Sequence, residues 1–227
     1  MSDLMISVPS ANRAVNALLK LAGCVFALAF LSACGANKVV VEGKFPSPLM
    51  TKLPLNIGVW YPDDLRNHEF TDMAKTPRES SWIVKSGEAQ VQMWDAVLGG
   101  MFQGFENMRV APEPGVLNQV VDAVIIPHVD ELQYAIPTQT HVNVYEIWMR
   151  YRFELVTQDG EPIAEWMMTA YGKTPTAFLR SNTAAVNLAA VMALRDAGAN
   201  FITSFSRVPE LREWLDGKMP AAQEISP

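Results

Sequence analysis

The stretch that decides the fold runs from Met149 to Ala170 and reads "MRYRFELVTQDGEPIAEWMMTA". Asp159-Gly160 is a strong signal for a two-residue hairpin turn. With those two residues as the loop, Gln158 faces Glu161 and the register of both strands follows. Leu155 then faces Ala164, Phe153 faces Trp166, Tyr151 faces Met168 and Met149 faces Ala170. Every one of these pairs is apolar, so turn chemistry and residue pattern agree on one buried face. The other face pairs Glu154 with Glu165, Arg152 with Met167, Arg150 with Thr169 and Trp148 with Tyr171. The alternation reaches back to His141 and adds Val142 and Val144 to that face. Aromatic residues, Met and Arg are enriched where proteins dock on one another. Trp148, Arg150, Arg152, Met167 and Tyr171 are therefore the candidate partner-binding surface. The competing reading is that a helix of the same domain covers them.

Outward from the hairpin, the pattern predicts a first strand over Leu53–Tyr61, "LPLNIGVWY", and a long polar stretch, Asp63–Lys85, with a short strand at Trp82–Val84. Val91, Trp94, Val97, Leu98, Met101, Phe102 and Phe105 recur at helical spacing, which predicts an amphipathic helix over Gly87–Phe105. Ser86 can cap it, and Gly99-Gly100 suits close packing on a sheet. Short strands are expected at Met108–Ala111 and Val120–Ile126. The second continues beyond Pro127, whose missing N–H calls for an edge or a bulge. Ser181 or Asn182 can cap a last long helix, Thr183–Phe205. Its inner stripe is read as Leu188, Val191, Leu194, Phe201 and Ile202, with a break or kink at Gly198. Pro209 opens a short helix through Leu215. This order predicts an α+β two-layer sandwich: a mostly antiparallel four- to five-stranded sheet with two helices packed on one face.

The amino terminus has three parts. Arg13 and Lys20 precede an apolar run from Leu21 to Leu31, and small residues Ser32 and Ala33 follow. A basic region, a short apolar core and a small-residue site make a secretory signal peptide. The run is too short to span a bilayer, which takes roughly 20 apolar residues. Leu31-Ser32-Ala33-Cys34 resembles the lipobox of bacterial lipoproteins. The resemblance implies cleavage before Cys34, diacylglycerol on its thiol and an acyl chain on its new amino group. Several chains anchor far more firmly than one. Gly35, where Asp would favour inner-membrane retention, implies the periplasmic face of the outer membrane in a Gram-negative bacterium. The expected organisation is a signal peptide over 1–33, a lipidated tether over 34–52, a periplasmic domain over 53–206, and a short helix with a disordered tail over 207–227. The order of elements in the body is similar to small envelope-assembly lipoproteins of the lipopolysaccharide-assembly, TolB amino-terminal and curli-secretion types. That likeness implies a non-enzymatic accessory that docks on an envelope protein.

Removal of residues 1–33 leaves 194 residues with 16 basic and 23 acidic side chains, a net charge of −7. This balance and the lack of a basic stripe argue against nucleic acid. The chain has two cysteines. Cys24 falls in the signal and Cys34 is consumed by lipid, so no thiol nucleophile, Cys-ligated metal or disulfide is expected. His68, His128 and His141 show no metal-ligand spacing, and no nucleotide-binding or serine-hydrolase motif is present. No cofactor, metal or catalytic residue is expected. A cation at Asp63-Asp64 with His68-Glu69 is less favoured than a solvated turn. The twelve methionines read mostly as core filler. The alternative to an accessory is a periplasmic binding module for a lipid, glycan or peptide, with Trp60, Trp82 and Asp63–Lys85 lining the site. A hydrolase dependent on His128 is the weakest reading.

Overall fold

A turn, a bulge and a buried face set the register of the central hairpin. The computed structural model describes residues 36–76, 79–117, 120–137, 144–175 and 181–218. Strands β7 (Val144–Thr157) and β8 (Pro162–Pro175) pair antiparallel. Met149 faces Ala170, Tyr151 Met168, Phe153 Trp166 and Leu155 Ala164, as the turn chemistry predicts. The turn itself is longer than two residues. The Thr157 N–H donates to the Glu161 carbonyl at 2.8 Å, and Gly160 adopts φ +80, a value that glycine takes without steric cost. Val156 therefore pairs with Pro162, and a bulge at Ile163 absorbs the one-residue difference. His141 and Val142 lie outside the described residues.

The sheet has five strands in the order β5–β2–β6–β7–β8, with β2 at Leu53–Val59, β5 at Phe102–Asn107 and β6 at Ala123–Ala135. β6, β7 and β8 run antiparallel, but β2 pairs parallel with both β5 and β6. The sheet is thus mixed, within the expected α+β class. Pro127 sits where β2 stops. The Trp60 N–H donates to the Ile125 carbonyl at 3.0 Å, so residue 127 would supply the next amide toward β2. Proline has none, and the ladder ends there.

Two helices cover one face of the sheet. Helix α2 (Gly87–Met101) stops earlier than its periodicity predicts, and Phe102–Asn107 is a strand rather than its last turns. Phe102 and Phe105 satisfy the helical spacing by coincidence. The expected strand over Met108–Ala111 is irregular loop. Helix α3 (Asn182–Ser204) begins at Ser181, whose hydroxyl accepts from the Ala184 N–H at 3.2 Å. Its buried face is mainly small: Ala185, Ala189, Ala190, Ala193, Ala197 and Gly198, with Val186, Val191, Leu194 and Phe201. Leu188 points outward at 37% exposure. The alanines let the helix backbone settle onto the sheet at Gly172. Gly198 does not break the helix; it allows close approach to Val97 of α2.

The polar stretch after β2 is largely ordered. It forms helix α1 (Asp63–Arg66) and strands β3 (Glu69–Asp72) and β4 (Trp82–Lys85). With β1 (Asn37–Val40) these make a second, three-stranded sheet in the order β1–β4–β3. The described part of the expected tether is therefore packed chain. Val39 and Val41 are buried. The Glu42 backbone exchanges two hydrogen bonds with the Asn187 amide at 2.9 and 3.1 Å, and Arg195 donates twice to the Lys44 carbonyl. Pro48 lies against Gly100, and the Lys52 Nζ donates to the Gly99 carbonyl at 2.7 Å. Gly100 thus admits this strap, while Gly99 faces the Phe105 ring of β5, where a Cβ would lie at 3.6 Å. At the other end, a 3-10 turn (Phe205–Arg207) leads into α4 (Pro209–Lys218), which buries Leu211 and Leu215. No helix among the described residues is long and apolar enough to cross a membrane.

A Cβ on Gly172 would lie 2.1 Å from the Ala189 carbonyl oxygen and 2.3 Å from the Ala193 nitrogen. Both are backbone atoms that cannot rotate away. Gly172→Ala is expected to cost about 2 kcal/mol or more in urea denaturation. Gly217→Ala, with nothing within 4 Å, is expected to cost nothing.

Candidate interaction surface

With α2 and α3 on the inner face, the outer face of β6–β8 is covered at its Val124–Ile126 end, where Val124, Ile126 and Val156 pack with Trp60 and Met108, and α1 reaches it through Asp64 beside His128. The register arranges it in rows. His128, Arg152 and Met167 form one; Glu131, Arg150 and Thr169 the next. Gln133, Trp148 and Tyr171 follow, then Ala135, Glu146 and Lys173. A bulge between Val129 and Glu131 inserts Asp130 and brings it beside Arg152. The five predicted surface residues thus share one face, as expected. Met167 is 65% and Tyr171 43% exposed; Trp148, Arg150 and Arg152 are half-buried.

Charge pairs order this face. Arg150 Nη2 lies 3.0 Å from Glu131 Oε2, and its guanidinium sits 6.0 Å from the Trp148 ring centre. Arg152 bonds Glu154 and lies 3.5 Å from Asp130. Partial burial works against the charged form of Arg152, but the Glu154 bond and the carboxylates of Glu154, Asp130 and Glu165 prevail and raise its pKa. His128 stands between Glu154 at 3.3 Å and Asp64 at 3.8 Å. The Tyr171 hydroxyl donates to Glu146 at 2.6 Å, and that bond, with some desolvation, raises its pKa. Half-exposed pairs of this kind add little stability. Their effect is to hold long side chains in place beside the aromatic rings. Between Trp148, Tyr171, Tyr134, Gln133, Ala135 and Glu146 lies a depression of about 170 Å3.

The residues proposed for a ligand site do not converge. Trp82 is 2% exposed and belongs to the main core. Trp60 packs on a separate cluster of Val121, Val124, Ile126 and Val156. No group of three His, Cys, Asp or Glu suited to a metal occurs among the described residues.

One contact escaped sequence reasoning. His68 Nδ1 lies 2.7 Å from the Ser86 hydroxyl, which also accepts from the Gln90 side chain at 3.0 Å. The two residues are eighteen positions apart, and no spacing rule joins them. Ser86 is wholly buried. The pair locks the start of α2 against the α1–β3 corner, where the Ser86 and Gly87 N–H groups both donate to the His68 carbonyl. Burial lowers the His68 pKa below 6.5, against a smaller raising effect of Asp64. A lowered pKa means that the unfolded chain binds this proton more readily. The contribution is complete above the ordinary histidine value and is lost as pH falls below it. Wild type is therefore expected to lose stability in denaturant between pH 7.5 and 5. His68→Gln should lose less over the same range.

No protein-family model matches the chain, and no curated protein matches it. Among solved structures, it is similar to protein XCC0632 of Xanthomonas campestris, a member of family DUF330. Identity is 14%, coverage is 82% of this chain and 99% of that one, and the TM-score is 0.48. It is also similar to a minor lipoprotein of Acinetobacter baumannii at 14% identity, covering 76% and 99%, with a TM-score of 0.35. At such values the functional reading rests on the chain's own residues.

Proposed function

We propose that the chain is a lipid-anchored envelope protein of a Gram-negative bacterium, held on the periplasmic face of the outer membrane. It acts there as a non-enzymatic accessory that captures another envelope protein through Trp148, Arg150, Arg152, Met167 and Tyr171. The observation that carries this reading is the Leu31-Ser32-Ala33-Cys34 box at the end of a complete signal. The part of the outer face between His128 and Ala135, which α2 and α3 leave uncovered, supports the docking role. It presents two aromatic rings, two arginines and an exposed Met in ordered rows, the composition of an interaction hot spot. The full burial of the Ser86 hydroxyl in the Ser86–His68 pair favours a structural over a nucleophilic role for it.

The test has two arms. Intact mass of the membrane-extracted protein should show diacylglycerol plus an acyl chain on the fragment beginning at Cys34, and Cys34→Ala should lose it. In a crosslinked pull-down from detergent-solubilised envelope, one stoichiometric partner should appear. Its recovery is expected to fall at least about tenfold in Trp148→Ala, with the circular dichroism melt unchanged. Normal capture by that variant would show the surface to be wrong.

A further inference from the structure

The start of β1 lies three positions after the lipobox cysteine. Asn37 is already held: its N–H donates to the Ser81 carbonyl at 2.7 Å, and its side-chain amide reaches the same oxygen at 3.4 Å. From there Val39 and Val41 are buried, and the strap is fastened at Asn187, Arg195 and Gly99. No slack is available from residues 37–52 without breaking these contacts. From Cys34 to Asn37 a chain spans at most roughly 11 Å, whatever its conformation. A headgroup layer takes up roughly half of that, as the difference between total and hydrocarbon thickness shows.

We propose that the domain lies against the bilayer on a leash of two residues, Gly35 and Ala36, with the Asn37–Met73–Lys75 end of the small sheet facing the lipid. This rests on the reading of Cys34 as lipidated. The register defines which end that is. Asn37 aligns with Trp82 across β1–β4, and Trp82 aligns with Asp72 across β3–β4. Beyond Asp72 the chain turns through Met73, Ala74 and Lys75. Two bonds shape this turn: the Ala74 N–H to the Ser81 hydroxyl at 3.0 Å and the Lys75 N–H to Glu79 at 2.9 Å. Met73 is 64% exposed there, and Lys75 is exposed beside it. An apolar side chain next to a cation suits a headgroup surface. Of the two carboxylates nearby, Asp72 accepts from the Tyr134 hydroxyl at 2.7 Å and Glu79 from the Lys75 amide. The far end of the large sheet, where Ala123 pairs with Thr157, stands roughly 35 Å further along β6 at the ordinary strand rise.

The experiment uses the lipidated full chain in vesicles of phosphatidylethanolamine and phosphatidylglycerol that carry nitroxide on the headgroups. A fluorophore is placed on Met73→Cys or, at the far end, on Val116→Cys; both positions are exposed. Quenching at position 73 is expected to exceed that at position 116 at least about threefold. Twenty Gly/Ser residues inserted between Ala36 and Asn37, about 25 Å in r.m.s. length, should remove the difference. Equal quenching at the two positions in a chain whose mass shows diacylglycerol overturns the orientation and leaves the anchor standing. A difference that survives the insertion overturns the leash. A mass without lipid overturns both this proposal and the anchor it rests on.

Discussion

The indole of Trp94 is the point through which both helices and the sheet are joined. It is wholly buried and meets Tyr151, Phe153 and Phe201 edge-on at 5.4, 5.1 and 5.3 Å. One side chain of α2 thus touches β7 twice and α3 once. Phe153 stacks in turn on Trp166 of β8 at 5.2 Å, and Phe201 continues to Phe205 at 5.4 Å. Each such pair contributes about 0.5–1.5 kcal/mol beyond the area it buries. The cluster places Tyr151, Phe153 and Trp166 of the hairpin on one side. What remains for the other side is the set of Arg, Glu, Trp, Tyr and Met side chains that no helix covers. The exposed surface is a consequence of where the aromatic core had to go.

The hairpin was legible because two independent signals coincide. Asp159-Gly160 sets the turn, and only one register makes every inner pair apolar. The turn length was not legible, yet the bulge at Ile163 corrects it before the first core pair, so the error never reaches Leu155. Parallel pairing of β2 with β5 and β6 left no local trace. It depends on contacts between segments 48 to 66 residues apart, as in Ile57 with Phe105 and with Ala123, and Phe102 and Phe105 fit a helix as well as a strand. β1 and β3 were missed because four-residue strands reading Asn-Lys-Val-Val and Glu-Phe-Thr-Asp are too short to show an alternation that separates them from loop. The candidate surface was legible as a face, since period two allows no other arrangement, but its exposure was not. The helices could have packed on either side of the sheet. The inner side prevails because Gly172 and the alanines of α3 permit backbone contact there.

The edge of the sheet limits how a partner can bind. β8 is the outermost strand, and an open edge invites addition of a strand from another chain. Its middle is closed. The Tyr171 N–H donates to the Asp196 carboxylate at 2.9 Å, and the Thr169 carbonyl accepts from the Asn200 amide at 3.2 Å. Both partners come from α3, one turn apart. A chain approaching this edge would have to displace two hydrogen bonds before making its first. Docking on this side of the molecule is therefore a matter of side chains on the outer face, where Met167 and Tyr171 already stand clear.

The anchor and the surface are then geometrically linked. Tyr134 packs edge-on against Phe70 at 5.4 Å and bonds Asp72, so the small sheet meets the large one at the Tyr134 end of β6. Its neighbour Gln133 shares a row with Trp148 and Tyr171. Under the proposed anchoring at Cys34, that row would lie toward the bilayer, and Met167 and the hairpin turn would point away from it. On that proposal, a partner engaging Trp148 would present its own contact close to the headgroups. One that projects far from the membrane would meet Met167 and Arg152 first. A leash as short as the one proposed would restrict the angles from which the face can be approached, and that restriction would favour partners held at the same membrane.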